Sequence, residues 1–181
     1  MTLEDRISAL IRREAGFVDN PADSGGPTKF GVTQRKLAEA RRREVMVDEV
    51  RELTEAEARA IYRRDFEAAQ IDIAPDECEE LLLDIHANHG PGNFARILQR
   101  ALGVTVDGAI GPKTRAALAA ADGGRLYRDV VAERLEFTGR VITKNLKDDD
   151  HDGIPDNTEF AYGWLVRQAQ FVRNLPVGRG A

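Results

Sequence analysis

The chain is 181 residues long, 42% hydrophobic, with a formal net charge of −5. That length buries a core without disulfides, as one compact domain or two small lobes. The mildly acidic balance argues against nucleic acid as the main partner, because phosphate neutralisation needs a basic face, and the single cysteine, Cys78, excludes an intrachain disulfide.

Taken in chain order, the N-terminus MTLEDRISALIRRE puts charges inside its first turns and has no uninterrupted apolar run. It is not a secretory signal, and no later stretch is long enough for stable membrane insertion. Synthesis in the cytoplasm is expected, with a holin or a secretion system supplying any route outward. Ile7, Leu10 and Ile11 share one helical face, and Thr2 and Asp5 are placed as a capping box before them. Helical spacing then fails over DNPADSGGPTKFG, Asp19 to Gly31, a long connection rich in turn formers. Thr33 is placed to cap a helix over Gln34 to Arg43, and Thr54 with Glu57 opens another over LTEAEARAIYRRDFEAA. Residues 1–76 thus form one helical lobe.

Residues 77–181 form a second. CEELLLDIHAN is followed by an HGPG break and by NFARILQRALG. VTVDGAIG turns into a helix beginning near Pro112, where proline is tolerated. A long amphipathic helix spans Leu126 to Leu146, then comes an acidic loop, then a last helix over Thr158 to Arg173. The expected fold class is all-α, in two lobes sharing a core, and the expected state is a monomer.

The acidic loop holds six acids and no Lys or Arg between Asp148 and Glu159. Counted from Asp148, it places Asp150 third, Asp152 fifth, Gly153 sixth, Ile154 seventh, Asp156 ninth and Glu159 twelfth. This is the EF-hand order: monodentate carboxylates, a glycine for the sharp turn, a backbone carbonyl and a bidentate Glu. The metal ligands are therefore Asp148, Asp150, Asp152, Ile154, Asp156 and Glu159, holding a structural Ca2+ over residues 148–159. Sensor loops come in pairs bridged through the backbone of the eighth residue. Here that residue is Pro155, which has no N–H, and there is no second loop. The site reads as a clip fixing the angle between two helices.

Glu14 falls three residues after Ile11 on the apolar face of the first helix, just before the helix-ending Gly16. Desolvation and the helix's negative pole both favour the protonated carboxyl, as a general acid requires. The alternative is an ordinary helix-end Glu reaching solvent. The following loop adds a second carboxylate, Asp23, and a hydroxyl, Thr28, around Gly25, Gly26 and Pro27. An acid followed by a loop of this kind suits glycosidic cleavage; Asp19 is a weaker second candidate.

These residues carry a family resemblance. REAGFVDNPADSGGPTKFGVTQ resembles the E-G-G-Y-x-x-x-P-x-D-x-G-G-x-T-x-x-G-I-T signature of glycoside hydrolase family 108, bacterial and phage N-acetylmuramidases of the endolysin type. The likeness continues through LTEAEARAIYRRDF, and then through DIHANHGPGNFARILQRALGVTVDGAIGPKTRAAL and YGWLVR. These later pieces are similar to the predicted peptidoglycan-binding domain that follows in that family. The resemblance implies a lysozyme-like helical fold and peptidoglycan as substrate, acted on in the wall or periplasm. It puts Glu14 in the catalytic acid position, with Asp23 and Thr28 at further motif positions and no cofactor for catalysis. Phe30, Tyr62 and Asn88 are implied groove residues by their place in the matched segments. Ala15 and Phe17 replace the signature's first Gly and its Tyr, Phe66 stands where Tyr or Trp is usual, and the acidic loop lies outside the pattern.

Other residues have plainer readings. His86 and His89 lack the spacing of a metal pair and are expected to pack or hydrogen-bond at a helix end. Tyr162 and Trp164 offer rings for stacking on a sugar, but the plainer reading of Trp164, Leu165 and Phe171 is the core stripe of the last helix. The activity implied is hydrolysis of the β-1,4 bond between N-acetylmuramic acid and N-acetylglucosamine. Its rivals are a lytic transglycosylase and a non-catalytic wall-binding module stabilised by calcium.

Overall fold

The computed structural model describes residues 1–13, 16–19, 26–144 and 156–175, without the side chains of Asp156, Asn157 and Glu159. The chain divides into two compact units, Met1–Ala68 and Ala69–Ala181.

The first unit opens with α1 (Leu3–Arg13). The Thr2–Asp5 capping box forms as the spacing requires: the Thr2 N–H donates to Asp5 Oδ2 at 3.0 Å, and the Asp5 N–H to Thr2 Oγ1 at 3.2 Å. Ile7, Leu10 and Ile11 are buried, and α1 packs on α4 (Glu55–Ala68). Each such aliphatic side chain contributes about 1.5–3 kcal/mol by leaving water. Thr54 Oγ1 accepts from the Glu57 N–H at 3.2 Å and starts α4. Between α1 and α4 lie α2 (Gln34–Arg41) and α3 (Val47–Arg51). Thr33 caps α2, its side chain accepting from the Lys36 N–H.

The all-α expectation needs a correction in this unit. Three two-residue strands, β1 (Phe17–Val18), β2 (Thr28–Lys29) and β3 (Val32–Thr33), form an antiparallel sheet in the order β1-β2-β3. Phe17 faces Lys29 and Val18 faces Thr28; across the next ladder Thr28 faces Thr33 and Lys29 faces Val32. The loop joining β2 to β3 is Phe30-Gly31, with φ 53° and 74°. Two positive φ values in a two-residue loop make a primed turn, whose twist matches that of the paired strands. Gly31 adopts this conformation without penalty, whereas Phe30 must be held in it.

The second unit is helical among the described residues. A single 3-10 turn, Ile71–Ile73, leads into α5 (Asp76–Ala101), followed by α6 (Pro112–Ala119), α7 (Gly123–Lys144) and α8 (Asp156–Arg173). The HGPG break is a kink within α5 rather than a loop: Gly90 takes φ 72° and ψ 167°, and Pro91 follows it. Leu81, Leu82, Leu83 and Ile85 are all buried, so this part of α5 is enclosed on several sides. α7 packs along α5, and α8 along α7. The start of α7 needs a glycine, since a Cβ on Gly123 would stand 2.9 Å from Pro75 Cβ and 2.0 Å from Glu77 Oε1.

The last helix corrects its predicted stripe. Phe171 is buried, Trp164 is half-buried and stacks on Phe160 at 6.2 Å, but Leu165 is exposed. With Tyr162, Val166 and Val172 also exposed, α8 is apolar on more than one face and its core side is set by Gln168 and Phe171. No helix among the described residues is long and apolar enough to cross a membrane.

Candidate active site

In the first unit the structure builds a small sheet directly after α1 in the chain and fixes it from three directions. From α4, the buried Tyr62 hydroxyl donates to the Phe30 carbonyl at 2.8 Å. That bond holds the strained residue of the primed turn. The Tyr62 ring is in turn covered by Lys36 Nζ at 4.7 Å from its centroid, and Lys36 pairs with Asp65 at 2.6 Å. From α3, the Arg51 carbonyl accepts from Lys29 Nζ at 2.6 Å, and the Arg51 guanidinium lies 4.6 Å from the centre of the Phe17 ring. From α2, the Gln34 N–H donates to the Pro27 carbonyl at 2.9 Å, and Gln34 Nε2 reaches the Val45 carbonyl at 2.6 Å.

Thr28 thus sits half-buried in the middle strand, between Val18 and Thr33, on a scaffold with little freedom to shift. Phe30 is half-buried at the turn, with Lys29 Nζ 5.3 Å from its ring centre. Tyr62 takes a different place from the groove position implied for it. It is fully buried, so it acts on the hairpin from behind and presents no surface to a sugar. Phe66 is likewise buried in α4. Asp19, the weaker candidate, is exposed just beyond β1. Glu14 and Asp23 lie outside the described residues.

Behind the sheet, a charge network braces α3 against α2 and α4. Arg41 donates through Nε to Glu57 and through Nη1 to Glu49, each at 2.8 Å, while Glu49 also receives the Met46 N–H at 3.0 Å. The Arg43 guanidinium, the Met46 N–H and Arg41 together hold the Glu49 carboxyl down at about 2.

The second unit holds the sharpest polar cluster among the described residues. Arg134 Nη2 on α7 donates to Asp84 Oδ2 on α5 at 2.6 Å, with side chains 3% and 0% exposed. Arg134 Nε points at His89 Nε2, 3.3 Å away, and its guanidinium lies 5.4 Å from the Phe171 ring of α8. Burial and the adjacent guanidinium push the His89 imidazole down to about 3, so its Nε2 remains a bare acceptor and its proton sits on Nδ1. His86 packs edge-on against Phe94 at 5.2 Å, and His89 against Phe137 at 5.0 Å. Within α5, His86 is therefore a packing residue, while His89 both packs and accepts a hydrogen bond. Asn88 is exposed, donates to the Asp84 carbonyl at 2.7 Å and accepts from Arg167 of α8.

Of the residues expected to hold calcium, Asp148, Asp150, Asp152 and Ile154 lie outside the described residues, as do the side chains of Asp156 and Glu159; the last two belong by backbone to α8. Among the described residues no group of three or more His, Cys, Asp or Glu is arranged to hold a metal. Sequence reasoning missed Asp84, Arg134 and Arg51. For Arg134 a signal was available, since it continues the apolar stripe Val130, Val131 and Thr138 of α7. Asp84 similarly interrupts the run LLLDI.

Comparison with known proteins gives these sites a family. Residues 7–90 match the family model Glycosyl hydrolase 108, and residues 93–169 match the model Predicted Peptidoglycan domain. No curated protein matches the chain. Among solved structures it is similar to Brucella abortus SagA, with 28% identity, a TM-score of 0.80, and coverage of 98% of this chain and 96% of that one. The chain is a glycoside hydrolase acting on peptidoglycan, with residues 7–90 matching the glycosyl hydrolase 108 model and residues 93–169 the predicted peptidoglycan domain.

Proposed function

We propose that the enzyme is an N-acetylmuramidase, which hydrolyses the β-1,4 bond between N-acetylmuramic acid and N-acetylglucosamine with Glu14 as general acid. The observation that carries this reading is the order of parts within the family 108 segment. Glu14 is next in sequence after the last residue of α1, and Asp23 comes nine residues later, before the strand that carries Thr28. The Glu14 carboxyl gives its proton to the glycosidic oxygen as the C1–O bond breaks. Positive charge develops on the sugar ring, and water adds to C1 and loses its proton. Asp23, with the Thr28 hydroxyl, orients that water or shields the charge. The fixed hairpin supports this division of labour, because a catalytic hydroxyl has to be held within a fraction of an ångström.

The test is Glu14→Gln, which keeps shape and removes the acid. Clearing of purified peptidoglycan should fall by at least about 100-fold, the usual worth of a general acid, and mass spectrometry of the parent's products should show reducing muramic ends. A variant that clears walls at the parental rate refutes the assignment of Glu14. Anhydro ends would replace hydrolysis with transglycosylation.

Calcium belongs to the same reading as a structural ion. The proposed ligands are Asp148, Asp150, Asp152, Ile154, Asp156 and Glu159, whose spacing supplies the oxygens a hard cation requires. Six unmatched acids repel one another, so calcium should raise the thermal midpoint of the full chain. Equal midpoints in calcium and in chelator would remove the ion from the account.

A further inference from the structure

The second unit carries a cleft whose lining residues all lie outside the family 108 segment. It has a volume of about 590 Å3 and opens where the ends of α5 and α6 meet the first half of α7. Its size is that of a small-ligand site. Small side chains, among them Ala101, Ala117 and Ala132, leave the space open. The polar groups around it are of both signs: Arg100 stands on the α5 side, Asp122 just before α7, and Arg125, Asp129 and Glu133 on α7.

Two of these groups lack the partner their charge calls for. Arg100, in the last turn of α5, forms no ion pair among the described residues. Glu133 keeps one carboxylate oxygen sealed from solvent with no hydrogen bond made to it. A buried acceptor without a donor is uncommon in folded proteins and marks a place where a donor is missing. Asp129, one turn earlier on α7, is half-committed to Arg125 at 3.5 Å, with the arginine side chain 80% exposed. The cleft therefore offers an acceptor pair on one side and a free guanidinium on the other, with aliphatic walls between.

We infer that this cleft binds the peptide stem of peptidoglycan through its diamino acid, whose ammonium goes to Glu133 and Asp129 and whose carboxylate goes to Arg100. The inference rests on the chain acting on peptidoglycan and names the part of that polymer recognised by residues 100–133. A bare glycan strand carries no ammonium and so brings no charged donor to Glu133 and Asp129. A diamino acid places an ammonium and a carboxylate on one short aliphatic chain, and so matches both sides of the cleft at once. Charge-assisted hydrogen bonds of this kind are the strong ones.

The experiment is calorimetric titration of the full-length protein with the free tripeptide L-alanyl-γ-D-glutamyl-meso-diaminopimelate. Two further ligands are the same tripeptide acetylated on its free side-chain amine and a peptide-free chitooligosaccharide. Acetylation should weaken binding about tenfold or more, the worth of one charged hydrogen bond. It should weaken binding no further in Glu133→Gln, which has already lost the partner. Arg100→Gln should lose affinity for both peptides. If Glu133→Gln unfolds, Asp129→Asn, on the more exposed acid, serves in its place. Equal affinity for the free and acetylated tripeptides overturns the inference, as does unchanged affinity in the variants. Binding of the chitooligosaccharide alone also overturns it. Wall clearing by the same preparation separates the two readings: clearing without peptide binding sinks only this inference, and peptide binding without clearing sinks only the hydrolase mechanism.

Discussion

Removing Arg134 alone should be among the most damaging single changes in the second unit. Its guanidinium meets Asp84 Oδ2 at 2.6 Å, with the two side chains 3% and 0% exposed. In Arg134→Met the long stem still fills its space, but the buried Asp84 carboxylate loses the guanidinium it meets. Breaking a buried pair from one side costs about 3–5 kcal/mol, whereas replacing both members by apolar groups of similar size is often neutral or stabilising. Asp84→Leu alone should be comparably harmful, since it takes the carboxylate from a buried guanidinium. The double variant Asp84→Leu with Arg134→Met should then be far more stable than the sum of the two losses predicts. Urea denaturation followed by circular dichroism measures all three, and the non-additivity is the coupling of the pair. Single variants that each lose less than about 1 kcal/mol, or a double variant whose loss equals the sum, would show that the pair is not the desolvated contact that the distances describe.

Two further predictions concern the parts around this pair and the hairpin. His89 is pushed down to about 3 from an ordinary value of 6.5. The folded state therefore refuses a proton that the unfolded chain takes up, and its contribution is fully present above about pH 6.5 and is lost as pH falls toward 3. The loss is on the order of a few kcal/mol, and the pH slope of urea stability should flatten in His89→Gln, which keeps an acceptor but does not titrate; an unchanged slope would assign the effect to other groups. In the first unit, Tyr62→Phe removes the donor to the Phe30 carbonyl and should cost about 1–3 kcal/mol. Its kcat on peptidoglycan should fall more than its KM rises if the hairpin positions Thr28, and a change in KM alone would deny that role.

How far the sequence revealed these features depended on whether a signal repeats along the chain. The helices were legible because burial recurs every three or four residues: Ile7, Leu10 and Ile11 face inward as their spacing demands. The caps at Thr2, Thr33 and Thr54 were legible because each is a fixed local geometry. The sheet was not, because strands of two residues are too short for alternation to register. Its Phe30-Gly31 turn is also an unusual choice, since Asn or Gly normally stands where Phe30 does. Tyr62 shows the limit from the other side. Its place in a matched segment suggested a groove wall, but a pattern does not say which way a side chain points, and burial turned a contact residue into a support. The Asp84–Arg134 pair was invisible for a further reason: fifty residues separate its members, and no local rule links them.

The family 108 segment ends at residue 90 and the peptidoglycan domain begins at residue 93, so the boundary between the two families falls at Gly90, where α5 bends. The compact units divide elsewhere, between Ala68 and Ala69. Residues 69–90 thus belong by sequence to the hydrolase and by packing to the unit that contains the peptidoglycan domain. Their polar side chains make the reason visible. Asp84 and His89 close on Arg134 of α7, and Asn88 closes on Arg167 of α8. A chain cut at the family boundary would part the buried Asp84 carboxylate from the buried Arg134 guanidinium. The last helix of the hydrolase segment is therefore held in place by the domain that follows it, and the enzyme folds as a structure whose parts overlap where its sequence families merely adjoin.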